Sequence, residues 1–213
     1  MVEVVIADDH SLIREGLKKM ISTASNEIEV IHEASNANEL MEILNRQLPD
    51  IVLLDITMPG KSGLEALKEI RNLYPNLPVL ILSMHPEERF AFRALKAGAA
   101  GYFFKRSIYD DELIRAIRMI VTQKRRYISP EVADQLAQHI DNSKTDQLHD
   151  NLSDREYQVL RMIASGKKVS TIARELSLSV QTIHTYRSRL KDKMKMTTDT
   201  ELTKYAIQHE LVD

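Results

Sequence analysis

Cysteine is absent from this chain of 213 residues, and aromatic residues make up only 5% of it. Without cysteine there is no disulfide framework, no thiolate metal site and no thiol nucleophile. No apolar run approaches the length of about 18 residues that a membrane span requires. The N-terminus, Met1-Val2-Glu3-Val4, runs straight into a strand pattern and lacks the charged-then-apolar layout of a signal peptide. A cytoplasmic location is the expectation by elimination. Apart from an alternation of strand and helix patterns, there is no repeat of solenoid period. Charge of one sign is scarce as well, with a net charge of −2. That balance conceals an asymmetry: −5 over residues 1–150 and +3 over residues 151–213. The segment 161–195 is sharper still, carrying Arg161, Lys167, Lys168, Arg174, Arg187, Arg189, Lys191, Lys193 and Lys195 against Glu175 and Asp192. A local excess of this size suits a polyanion, although charge alone would equally describe a solvated helix face.

What is present is ordinary globular sequence, 43% apolar and 28% charged, long enough for one or two domains with cores of their own. Four short apolar runs in the first half each end on a polar residue. They read Val4-Val5-Ile6-Ala7-Asp8-Asp9, Ile51-Val52-Leu53-Leu54-Asp55, Val79-Leu80-Ile81-Leu82-Ser83 and Gly101-Tyr102-Phe103-Phe104-Lys105. With a further run near 28–34, they predict strands near 3–8, 28–34, 50–55, 78–83 and 100–104. Amphipathic patterns between them predict helices near 11–24, 36–47, 63–73, 86–97 and 107–123. Five such repeats predict an α/β domain with a five-stranded, parallel, doubly wound sheet over residues 1–123.

Residues 124–150 read as a linker. Ser129-Pro130-Glu131 starts a short helix reaching to about Ile140, and the polar stretch 141–151 cannot bury a core. Residues 151–213 read as an all-α domain of four helices.

In an open parallel sheet, sites form outside the carboxyl ends of the strands. Asp8, Asp9, Asp55, Ser83 and Lys105 therefore gather at one edge. Any single Asp at a strand end is more often a turn or a helix cap, but several such endings in register are hard to obtain by chance. Three carboxylates suit a hard divalent cation such as Mg2+. One of them can act as a nucleophile and hold phosphate as an acyl phosphate. Lys105 would neutralise charge on the phosphoryl group and Ser83 would donate a hydrogen bond to it. His10, beside the acidic pair, reads as the residue that opens the first helix rather than as a ligand.

Ile6-Ala7-Asp8-Asp9-His10, Leu54-Asp55-Ile56-Thr57-Met58-Pro59-Gly60 with Gly63, Ser83 and Lys105 together resemble the receiver domain of bacterial two-component response regulators, over about residues 2–122. The resemblance implies a flavodoxin-like fold and Asp55 as phosphoacceptor, supplied by a sensor histidine kinase or a small phosphodonor. It implies Mg2+ held by Asp9, Asp55 and the carbonyl of Thr57, with Asp8 helping through water. It also implies that Tyr102 is the aromatic whose rotamer tracks the switch. Two neighbours depart from the commonest pattern: Arg106 stands where many receivers have Pro, and Met84 where many keep a small residue.

In the second half, Ser153 and Glu156 fit a capping box that opens a helix ending at Gly166. A second helix falls near 170–177, and Ser179 reads as the N-cap of a third, Gln181 to Met194. In that third helix Ile183, Tyr186, Leu190 and Met194 form the inner stripe. His184, Thr185, Arg187, Ser188, Arg189 and Lys191 lie on the outer face. Tyr186 shares the spacing of Ile183 and Leu190 and so reads as core rather than as a base-stacking aromatic. A fourth helix spans about 200–208. Two short helices, a tight turn and a basic outer face describe a helix-turn-helix. Leu152-Ser153-x-Arg155-Glu156, Gly166, Ile172-Ala173-x-x-Leu176-x-Leu178-Ser179 and Thr182-Ile183-x-Thr185-Tyr186-Arg187 resemble the NarL/FixJ (LuxR-type) DNA-binding domain, with Lys168 where that family usually has a Ser cap. The resemblance implies that His184, Thr185 and Ser188 face base edges, while Arg187, Lys191 and nearby groups such as Arg189 meet phosphates.

These features together predict a phosphorylation-dependent, non-enzymatic regulator that binds double-stranded DNA. Its expected partners are a sensor histidine kinase, a second copy of itself and, in controlling promoters, RNA polymerase. Two other readings compete. A phosphate-independent dimeric regulator would leave the complete acidic edge without a use. An Mg2+-dependent aspartyl-phosphate hydrolase would carry Asp-x-Asp on the first strand and an insertion enclosing the substrate, and this chain has neither.

Overall fold

The apolar runs fold as strands because both of their faces are covered. In the computed structural model β1 (Val2–Ala7), β2 (Ile28–Ala34), β3 (Ile51–Asp55), β4 (Val79–Ser83) and β5 (Gly101–Phe104) lie parallel. Every residue of β3 and β4 is buried, which explains why those runs are continuous rather than alternating. The structure describes residues 1–83, 88–105, 110–129, 132–133, 147–209 and 211–212. They form two units, Met1–Asn142 and Ser143–Asp213. Met84, Arg106 and most of the short helix expected at 129–140 lie outside the described residues. No helix among the described residues is long and apolar enough to cross a membrane.

In the first unit the strands alternate with α1 (Ser11–Ala24), α2 (Ala37–Arg46), α3 (Gly63–Leu73), α4 (Glu88–Lys96) and α5 (Asp110–Gln123). Ile6, Leu53, Leu80, Leu82 and Phe103 project from one face of the sheet into a cluster with Leu17 and Ile21 of α1 and Leu113, Ile117 and Ile120 of α5. Fully burying side chains of this size contributes roughly 1.5–3 kcal/mol each. Residues of opposite parity, such as Val52, Leu54 and Ile81, are also buried and face the other side of the pleat.

The sheet has six strands, ordered β2-β1-β3-β4-β5-β6, and not the five expected. The sixth, β6 (Tyr127–Ile128), pairs parallel with β5, Gly101 opposite Tyr127 and Tyr102 opposite Ile128. It occupies part of the segment read as linker. Two residues behind Lys124-Arg125-Arg126 are too few to show a period. The pairing rests on Gly101, since a Cβ there would collide with the Tyr127 carbonyl oxygen. Tyr127 also stacks on Phe103, centroids 5.6 Å apart, and donates its hydroxyl to Glu112.

The second unit opens with a single 3-10 turn, Leu148–Asn151, followed by α6 (Asp154–Ala164), α7 (Val169–Glu175), α8 (Val180–Met194) and α9 (Asp199–Gln208). Capping boxes start α6 (Ser153 with Glu156) and α9 (Thr198 with Glu201), and the Ser179 hydroxyl accepts from Thr182 N at the start of α8. Lys168 precedes α7 with extended backbone and no side-chain cap, as a residue without a short acceptor must. Tyr157, Leu160, Ile172, Leu176, Ile183, Leu190, Met194, Leu202 and Ala206 are its core. Tyr186 is partly exposed, at the margin of the stripe rather than within it.

Between β3 and α3 the chain turns back tightly, and the Gly63 amide donates to the Ile56 carbonyl at 2.8 Å. A Cβ on Gly63 would overlap the carbonyl of Asp55. The neighbour is backbone, so relief requires moving the end of β3. We expect Gly63→Ala to destabilise the first unit by on the order of 2–3 kcal/mol, read from the urea midpoint. An unchanged midpoint would show that the loop yields freely.

Candidate functional site

Strand register alone sets the acidic edge. Ala7 lies opposite Leu54, Asp55 opposite Leu82 and Ser83 opposite Phe104. Asp8, Asp55, Ser83 and Lys105 therefore end neighbouring strands in a staggered row, with strand spacing of about 4.8 Å. Lys105 spans it: its Nζ donates to Asp8 Oδ2 at 2.5 Å and to Asp55 Oδ1 at 2.8 Å. All three side chains are nearly inaccessible, at 4%, 1% and 5% exposure. Asp55 Oδ2 accepts from the Thr57 amide at 3.1 Å, and Asp8 Oδ1 from the His10 amide at 2.9 Å. Arg14 of α1 donates to the Asp8 carbonyl at 2.7 Å and pairs with Glu33, fixing the end of β1.

The charges in this corner do not balance. Asp8, Asp9 and Asp55 face one ammonium. Burial pushes the Asp55 carboxyl up to about 6; Lys105 opposes the rise, while Asp8 and Asp9 add to it. Asp9 Oδ1 is buried and accepts no directed hydrogen bond. His10 Nδ1 lies only 2.8 Å from that oxygen, but proximity without alignment leaves a lone pair unused. His10 is thus both the residue preceding α1 and a neighbour of the acidic pair. A net-negative, carboxylate-rich cluster with an unused buried oxygen is what a hard divalent cation favours. Ser83 is fully buried at the end of β4. Tyr102, opposite Ile81 in β5, is also fully buried.

In the second unit α8 presents His184, Thr185, Ser188 and Arg189 as exposed residues. Arg187 and Lys191 are only 27% and 26% exposed, because both reach Asp199 at the start of α9. Residues that the sequence pattern does not connect to α8 hold this face in place. Arg155, 2% exposed, donates to the Leu176 carbonyl at 3.2 Å and fastens α6 to the end of α7. Glu156 closes its capping box and also accepts from Lys193 of α8 at 2.7 Å. The capping spacing revealed Glu156 as a helix start. No spacing rule linked it to Lys193, or Asp199 to α8.

The chain belongs to the two-component response regulators. Residues 4–118 match the response regulator receiver domain and residues 150–206 the bacterial regulatory proteins of the luxR family. It is accordingly a regulator with a receiver domain followed by a LuxR-type DNA-binding domain. It is 36% identical to the response regulator GacA of Pseudomonas aeruginosa, across 100% of this chain and 99% of that protein. It is 35% identical to UvrY of Escherichia coli, across 99% and 96%. Among solved structures it is similar to RcsB from Salmonella enterica serovar Typhimurium bound to a promoter in the presence of a phosphomimetic. That match has a TM-score of 0.62 and 25% identity, over 96% of this chain and 97% of that one.

The raised Asp55 carboxyl has a consequence for stability. Burial lifts it from the ordinary 3.8 to about 6, so the folded state holds its proton more tightly than the unfolded state. The resulting stabilisation is complete below about pH 4 and is lost as pH rises through about 6. With divalent cations removed, we expect Asp55→Asn to raise the unfolding free energy at pH 8, measured by urea titration, by on the order of 1–3 kcal/mol. The gain should shrink as pH falls towards 4. A variant less stable than the parent at pH 8 would refute this assignment of strain.

Proposed function

We propose that Asp55 is the phosphoacceptor of this response regulator and that the outer face of α8 is its output. The observation that carries the reading is Lys105 Nζ held between the buried carboxylates of Asp8 and Asp55. An ionised Asp55 oxygen attacks the phosphorus of a phosphohistidine on a sensor kinase, or of a small acyl phosphate. The new O–P bond forms an acyl phosphate as the donor's P–N or P–O bond breaks, and the leaving group keeps the electron pair. Lys105 balances charge on the transferred group and Ser83 donates to one of its oxygens. Asp8, Asp9, Asp55 and the Thr57 carbonyl would hold Mg2+, which would offset the negative charge gathered at the reacting oxygens. Asp9 Oδ1, buried and without a directed hydrogen bond, supports that assignment.

The functional division follows: a receiver over 1–123, a connecting segment over 124–150 whose Tyr127 and Ile128 pair with the receiver sheet, and the DNA-binding domain over 151–213. His184, Thr185 and Ser188 face base edges, while Arg187, Arg189 and Lys191 meet the phosphate backbone. Two copies would place recognition helices one duplex turn apart, roughly 34 Å. A cytoplasmic protein that contacts RNA polymerase at a promoter fits this output.

Acetyl phosphate labelling followed by intact-mass measurement tests the input. The parent chain should gain one phosphoryl group, and Asp55→Asn or added chelator should abolish the gain. Phosphodonor should change the DNA affinity of the parent and leave that of Asp55→Asn untouched. A mass gain that survives Asp55→Asn would move the acceptor elsewhere.

A further inference from the structure

The basic face of α8 carries less free charge than its sequence implies. Of Arg187, Arg189, Lys191, Lys193 and Lys195, three are engaged by carboxylates from other helices. Lys193 meets Glu156 at 2.7 Å. Arg187 and Lys191, one turn apart on the same edge, converge on Asp199. The Arg187 guanidinium reaches both oxygens, Nη2 to Oδ2 at 2.5 Å and Nε to Oδ1 at 3.1 Å, and Lys191 Nζ lies 3.1 Å from Oδ1. This two-pronged contact is the geometry in which a guanidinium also binds a phosphate.

Asp199 does not swing freely into this position. It is the first residue of α9, and that start is locked by the Thr198–Glu201 capping box, with Glu201 also accepting from the Thr197 and Thr198 amides. Partial burial pushes the Asp199 carboxyl up, but the hydrogen bonds from Arg187 and Lys191 outweigh it and hold the group below its ordinary range. A DNA phosphate approaching either cation therefore meets a fixed anion already in its place.

We propose that Asp199 is a built-in competitor for DNA phosphate, holding Arg187 and Lys191 in an intramolecular network that suppresses sequence-independent binding. Sequence-independent affinity rises with each phosphate neutralised, whereas His184, Thr185 and Ser188 supply discrimination whatever the state of the two cations. Engaging the cations internally lowers the first without touching the second, so Asp199 sets the ratio between them. The inference rests on the assignment of Arg187 and Lys191 to phosphates made above.

The test uses the full chain and a mixed-sequence duplex, titrated across a range of salt. Asp199→Asn should bind this duplex roughly tenfold more tightly at low salt, with the slope of log K against log salt steeper by about 1–2. In an Arg187→Gln, Lys191→Gln background the same substitution should change neither quantity. Asp199→Ser repeats the measurement should the Asn variant unfold, since the Thr198–Glu201 cap remains in both. Weaker or unchanged binding by Asp199→Asn would make Asp199 a positioning residue and overturn the proposal. An equal gain in the double-variant background would show a diffuse charge effect and overturn it as well. If neither the parent nor Asp199→Asn binds the duplex, with or without acetyl phosphate, the DNA-contact assignment itself is overturned.

Discussion

Three carboxylates and one ammonium share a corner of the receiver sheet in which Asp8, Asp55 and Lys105 are nearly closed to water and only Asp9 is partly exposed, and that imbalance organises the corner. Burying charge is tolerated only where opposite charge and hydrogen bonds compensate it. Here Lys105 compensates Asp8 and half of Asp55, Thr57 supplies an amide, and Asp9 keeps an oxygen without a directed partner. The corner is a net-negative site held by a rigid frame: four strand ends in register, a glycine that lets the chain double back, and an arginine on the last carbonyl of β1's extension. Apolar burial on both sheet faces resists the relaxation that would relieve the repulsion.

The same physical relation, with its sign reversed, organises the LuxR-type unit. There the excess is cationic, and isolated carboxylates placed at helix starts gather it. Glu156 sits in the first turn of α6 and Asp199 in the first turn of α9, where the helix dipole already favours negative charge. Each reaches a cation of α8. Glu156 thus serves two ends at once, accepting from the Ser153 amide and from Lys193 of α8, while Asp199 sits beside the Thr198–Glu201 cap and holds Arg187 and Lys191. Glu156 is anchored by the Ser153 amide and Asp199 by its place at the capped start of α9, so three cations of the basic face are held by carboxylates of other helices.

Much of this was legible in the sequence because strand burial leaves a direct signature. Continuous runs such as Ile51–Asp55 have no other ready reading, and their terminal residues fall at one edge by geometry. The capping boxes at Ser153 and the serine at 179 were legible for a similar reason, since their signal lies within four residues. What escaped depends on contacts between segments distant in sequence. The sixth strand is two residues long and exists through Gly101 and the stack of Tyr127 on Phe103. The tie of Arg155 to the Leu176 carbonyl and the convergence of Arg187 and Lys191 on Asp199 join helices whose relative placement no periodicity reports. Charge counting gave the sign of the α8 surface correctly and overstated how much of it is free.

The imbalance around Asp55 also bears on how such a site can act as a switch. A phosphoryl group carries a charge of about −2, and the acyl phosphate would remove one carboxylate charge in exchange. The corner would become more negative than it already is, with Lys105 the nearest protein cation. Lys105 cannot hold Asp8, Asp55 and the new oxygens equally well, so the added group must redistribute its contacts or recruit further positive charge. Cation binding and phosphorylation are then linked, and linkage is reciprocal: whatever favours one favours the other by the same free energy. Ser83 and Lys105 sit at the ends of adjacent strands that lead into the fourth and fifth β/α repeats. A shift in their contacts would therefore be felt along that side of the domain, while the frame around β1 and β3, held by Arg14 and Gly63, stays in place.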